Sequence, residues 1–206
     1  MRPTKEVSGS RAELQRPKEF SGLFNSRPLG RKWPAKQPKT FVCANGDNLI
    51  QDTCKICAQN DPNVKFDFCT TTLQAAPGSN CTSLHGLGMI SIRLIRYNVT
   101  DTRCYIKQLL NDTKFDPYVK ACLSDCFDLY SDAIPSVDQA MKYYDSKRYD
   151  DADIHISAVM DAATTCEDGF SEKEGAVSPL MKRDDDMFQL SALALSIMHM
   201  LWTGSH

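Results

Sequence analysis

The chain has 206 residues, 42% of them hydrophobic and 9% aromatic, with nine cysteines and 24 Lys and Arg against 26 Asp and Glu. That much apolar material at this length supports one real core, which excludes a fully disordered or collagen-like chain and does not need disulfides merely to fold. The net charge of -2 averages two unlike parts: residues 1–46 hold ten Lys and Arg against three Glu, a net of +7, and the remaining 160 residues net -9.

Residues 1–40 show neither a helical nor an alternating period, and Pro3, Pro17, Pro28, Pro34 and Pro38 interrupt them. Residues 1–46 are therefore expected to form a basic, Pro-rich, disordered arm, and residues 47–206 a separate folded domain. The arm's charges are spread singly, which fits a solvated tail better than a nucleic-acid or lipid contact. It has no apolar stretch of the kind a secretory signal needs, although Thr40-Phe41-Val42-Cys43-Ala44 has the small-residue character of the end of one.

From Asp47 onward the periodicity is helical, in six segments punctuated by Pro, Gly, Asn and Asp. The first two, about 48–59 and 64–75, flank Asp61-Pro62-Asn63, a turn whose proline cannot continue the first helix. They read as a helical hairpin. A third segment, about 82–111, carries a stripe through Leu84, Leu87, Ser91, Leu94, Ile95, Asn98, Thr102, Tyr105, Ile106 and Leu109. The fourth begins after Asp116, an N-cap candidate with Pro117 at the first helical position, and Pro135 inside it should kink the helix. Asp150, Asp151 and Asp153 open the fifth segment and Asp184, Asp185 and Asp186 the sixth, where acidic side chains suit the positive end of the helix dipole. Four long amphipathic segments with short connections predict an all-α fold, an up-down-up-down four-helix bundle preceded by the N-terminal hairpin. The most apolar stretch, Leu190 to Trp202, is broken by Ser191, Ser196 and His199, so no membrane span is expected.

Chemistry is sparse. Cys54-Lys55-Ile56-Cys57 is a CxxC, but a zinc site needs a second pair, and only Cys122 and Cys126, one helical turn apart, offer one. Structural disulfides are the competing reading. Three N-x-T sequons, at Asn80, Asn98 and Asn111, together with nine cysteines favour an oxidising compartment and mark those asparagines as glycosylation candidates. His85, His155, His199 and His206 adjoin no Ser or Cys in a nucleophile arrangement. Gly86-Leu87-Gly88 lies on a helical stripe, where small residues permit close packing rather than cradling phosphate. No catalytic residue, metal or cofactor is expected, and a binding or inhibitory protein fits best.

Thr53-Cys54-Lys55, Pro62-Asn63-Val64, Phe66-Asp67-Phe68-Cys69, Asp125-Cys126, Leu129-Tyr130-Ser131-Asp132-Ala133 and Thr165-Cys166-Glu167-Asp168-Gly169-Phe170 together resemble the plant invertase and pectin methylesterase inhibitors. The pollen-allergen type of invertase inhibitor is the most similar, over about residues 47–203. The resemblance implies two disulfides, Cys54–Cys69 in the hairpin and Cys126–Cys166 in the bundle. Cys43, Cys57, Cys81, Cys104 and Cys122 fall outside that pattern, and an odd total leaves at least one thiol unpaired within the chain. It also implies a secreted, non-enzymatic inhibitor that blocks the cleft of an acid invertase, slightly favoured, or a pectin methylesterase, in a 1:1 complex in the cell wall, with neither nucleic acid nor membrane as partner. Invertase inhibitors of the family insert a Pro-Lys-Phe loop into the target cleft. The corresponding residues here are Asp145, Ser146, Lys147, Arg148 and Tyr149, which keep a lysine and a nearby aromatic and lack the proline. A different-class alternative is a helical bundle holding a small ligand.

Overall fold

The computed structural model describes residues 46–204; the expectations for the basic arm and for Cys43 lie outside the described residues. Those described are all-helical. α1 (Gly46–Asn60) and α2 (Phe66–Ala75) form the hairpin, and α3 (Leu84–Leu110), α4 (Pro117–Asp145), α5 (Tyr149–Ser171) and α6 (Met181–Thr203) form the bundle, with a 3-10 turn at Ser79–Cys81 between the two parts.

Local chemistry accounts for the helix ends. Asp61 turns the hairpin by accepting from the Asn63 amide at 2.9 Å, and Ser83 caps α3 by accepting from the Gly86 amide. Asp116 caps α4 through the Tyr118 and Val119 amides at 2.9 and 3.3 Å, bonds that hold its carboxyl below the usual carboxylate range, the Val119 amide foremost. α4 runs through Pro135 without a break. α6 ends on Gly204, whose φ of 69° a residue without Cβ adopts at no steric cost.

Within the bundle α3 and α5 each pack against both α4 and α6. The largest buried side chains include Ile95, Leu123, Tyr130, Ile156 and Phe170, each such apolar residue contributing about 1.5–3 kcal/mol by leaving water. The hairpin completes a second cluster, in which Ile50, Cys57 and Leu73 meet Leu87 of α3 and Leu193 and Ile197 of α6.

Two expectations are corrected. Asn98 lies in the middle of α3 with its side chain 1% exposed, so a glycan there is incompatible with the packing. Its side chain instead accepts from the Thr102 hydroxyl at 3.3 Å, while its Nδ2 is buried without a partner. The acidic run at 184–186 starts three residues inside the last helix rather than opening it. α6 begins at Met181, and because successive helical residues point about 100° apart only Asp185 is exposed, whereas Asp184 and Asp186 are buried.

Asp184 sits among groups from two other helices. Tyr130 of α4 donates its hydroxyl to Asp184 Oδ1. Glu167 of α5 adds a second carboxyl, its Oε2 buried without a hydrogen-bond partner. Cys166 of α5 places a disulfide sulfur, which has no hydrogen to give, 3.5 Å from Oδ2. Arg183 leans away towards α3, donating to Asp101 at 2.7 Å and stacking over Tyr105. Burial, with the Glu167 carboxyl alongside, pushes the Asp184 carboxyl up to about 8 against the opposing Tyr130 bond. Asp184 is therefore a neutral acid under acidic conditions.

Candidate functional site

α4 and α5 are joined by only three residues, Ser146, Lys147 and Arg148; Asp145 is the last residue of α4 and Tyr149 the first of α5. The Arg148 amide donates to the Tyr143 carbonyl and the Lys147 amide to the Tyr144 carbonyl, both at 2.9 Å. That is the paired closure of a Schellman turn, with Lys147 in the left-handed position, φ 59°, usually taken by glycine. For a residue with a Cβ this conformation costs about 1–2 kcal/mol. Surrounding contacts must therefore hold it.

Asp145, Ser146, Lys147 and Arg148 are exposed and Tyr149 is half-buried. Arg148 is tethered: its Nε donates to Asp151 at 2.7 Å, and its guanidinium lies 4.5 Å over the Tyr143 ring, whose neighbour at 5.5 Å is His155. Tyr149 packs edge-on against Tyr144 at 5.4 Å rather than projecting outward, and burial raises its hydroxyl above the ordinary tyrosine value. Lys147 makes no ion pair among the described residues. The turn thus offers one free ammonium and one braced guanidinium, suited to carboxylate or phosphate groups on a partner.

Sequence reasoning missed the support beneath the turn. Tyr144 is fully buried, donates its hydroxyl to the His85 carbonyl at 2.9 Å and stacks on the His85 ring at 4.7 Å. It reaches α3 because Gly88 leaves room: a Cβ there would lie 2.0 Å from the Tyr144 oxygen. Gly86-Leu87-Gly88 was the signal for close packing, but the side chain it admits lies too far along the chain to be named from the pattern.

Disulfides join Cys54 to Cys69 and Cys126 to Cys166, so neither Cys54 nor Cys126 has a thiolate to give a metal. Cys81 is also disulfide-bonded. Cys57, Cys104 and Cys122 are free, with only Cys104 exposed. Cys57 turns away from the hairpin bridge to lie 3.8 Å from the Met200 sulfur, and burial pushes its thiol up to about 12. Among the sequons, Asn80 and Asn111 are exposed.

The profile of the plant invertase/pectin methylesterase inhibitor family matches residues 48–197. A Platanus acerifolia protein described as a "Putative invertase inhibitor" is 43% identical over 154 residues, covering 75% of this chain and 86% of the relative. A pectinesterase inhibitor of Actinidia deliciosa is 32% identical over 155 residues, covering 75% and 80%. Among solved structures, a mutant form of a pectin methylesterase inhibitor from Arabidopsis superposes with a TM-score of 0.62 over 72% of this chain and 96% of that one; at 23% identity it shows the likeness of fold. The hairpin, the bundle and these relatives place the chain in the plant invertase/pectin methylesterase inhibitor family.

Proposed function

We propose that the protein is a secreted, non-enzymatic inhibitor that binds one molecule of a cell-wall carbohydrate-active enzyme and blocks its cleft, acid invertase ahead of pectin methylesterase. The observation that carries this reading is the exposed Lys147 at the apex of a braced left-handed turn, with Arg148 beside it. Glycosidase clefts are built around Asp and Glu pairs, so a cationic tip on a narrow turn complements them in charge and shape. The preference for invertase rests on the relatives, since the 43% identical one is described as an invertase inhibitor and the 32% identical one as a pectinesterase inhibitor. Exposed Asn80 and Asn111 are the glycan positions in this reading.

The test is inhibition of purified acid invertase and pectin methylesterase from about pH 4 to 6, where surface carboxylates change charge. The wild type inhibits invertase more strongly, and Lys147→Ala with Arg148→Ala removes most of that inhibition. Failure against both enzymes refutes the inhibitor; full inhibition by the double variant refutes the turn as the contact.

A further inference from the structure

The turn is held by residues that do not reach its surface. We propose that Tyr144, slotted over Gly88 and bonded to His85, is a positioning residue that presets the Ser146–Lys147–Arg148 turn and so determines inhibitory affinity without touching the target. This rests on the reading above that the turn meets the enzyme.

Lys147, a non-glycine residue at φ 59°, keeps that conformation only where its neighbours fix it. The fixing groups converge on Tyr144. Its carbonyl accepts from the Lys147 amide and lies 3.4 Å from His85 Nε2, so one oxygen is shared by the turn and by α3. Its hydroxyl is anchored on the carbonyl of His85, the same residue whose ring it stacks against. Its ring supports Tyr149, the first residue beyond the turn, at 5.4 Å. The turn is thus bracketed by Tyr144, stacked on His85 at the start of α3, and by Tyr149, tilted against the same ring at 6.3 Å.

Space makes the arrangement exclusive. A Cβ at residue 88 would lie 2.0 Å from the Tyr144 oxygen, 2.8 Å from its Cζ and 2.9 Å from the Ile197 Cγ2. Tyr144 is fully buried, so its ring cannot yield without moving the helices packed around it. With the backbone preset and Arg148 already tethered, binding orders little more than the Lys147 side chain. Preset loops gain affinity by avoiding the ordering cost that a mobile loop incurs on binding.

The experiment compares wild type, Tyr144→Phe, Gly88→Ala and a distant control, Val119→Ala, which is buried near the other end of α4. Two quantities are read: the inhibition constant against purified acid invertase and the amide exchange rates of Lys147 and Arg148. Tyr144→Phe keeps the ring and loses the anchor, so its inhibition weakens about fivefold to tenfold, and the two turn amides exchange about tenfold faster. Gly88→Ala weakens inhibition by more than about thirtyfold. Val119→Ala lowers thermal stability and leaves both quantities at wild-type values. Unchanged turn exchange in Tyr144→Phe, or inhibition no weaker than in Val119→Ala, overturns the positioning role. If Tyr144→Phe loosens the turn yet inhibition resists both it and the Lys147→Ala, Arg148→Ala pair, the turn is not the contact and the underlying reading fails instead.

Discussion

Asp184 makes the fold's stability fall as pH rises. The folded carboxyl takes its proton up to about 8 against an ordinary value of 3.8, because burial and the adjacent Glu167 outweigh the Tyr130 hydrogen bond. Between those values the native state binds a proton that the unfolded chain has released, so stability is greatest below about pH 4 as far as this group is concerned and declines above it. The full shift would amount to about 4 kcal/mol lost between pH 4 and 7. Local relaxation and water entry reduce such buried-charge penalties, so about 2 kcal/mol is the working magnitude, or about 4–8 °C in Tm for a domain of this size. Asp186 is raised by burial in the same direction, with Lys182 opposing, so the raw profile mixes two sites. The informative quantity is the difference between wild type and Asp184→Asn, which keeps the shape and an acceptor for Tyr130 but cannot ionise. Calorimetry at pH 5, 6, 7 and 8 should show the wild type losing Tm steadily and the variant losing much less, with the two closest at pH 5. Parallel profiles, or a wild type that gains Tm across the range, would refute the neutral buried acid.

Lys147→Gly should raise Tm by about 2–4 °C by relieving the left-handed strain, read by calorimetry, even as it removes the free ammonium. The two bridges close loops of 15 and 40 residues, corresponding to about 3 and 4 kcal/mol in the chain-entropy description. Cys54→Ser with Cys69→Ser should therefore loosen the hairpin, seen as faster amide exchange in α1 and α2, before the bundle melts. In a secreting plant host, Asn80→Gln and Asn111→Gln should each lower apparent mass by one glycan, and Asn98→Gln should leave it unchanged, because Asn98 is buried.

The hairpin and the four long helices were legible because their signals are local: Pro62 and Asn63 in a turn, Asp116 with Pro117 at a helix start, and apolar residues repeating at three and four. The Asn98 sequon shows two local signals in conflict. The tripeptide suggested a surface site while the stripe through Ile95, Asn98 and Thr102 put the same residue inward, and the stripe prevailed because it reports how the whole helix packs. The acidic run was legible only in part: Asp184 does lie in the first turn of α6, but its burial was not visible. A first-turn preference for carboxylates says nothing about which way each one points, and Tyr130, the partner that donates to Asp184 inside, lies 54 residues away.

The turn lay furthest from view. A left-handed C-terminal position is normally announced by Gly or Asn, and Lys147 announces nothing. What makes it tolerable is Tyr144 reaching across 59 residues to His85 through the gap at Gly88. The sequence contained the gap and the tyrosine but no local rule connects them, so the candidate contact residues could be located while the device that shapes them could not. The same remoteness separates display from support. Lys147 and Arg148 can vary at the surface with little cost to the core, whereas a larger residue at 88 requires a smaller one at 144, because the Tyr144 hydroxyl occupies the space a Cβ there would take.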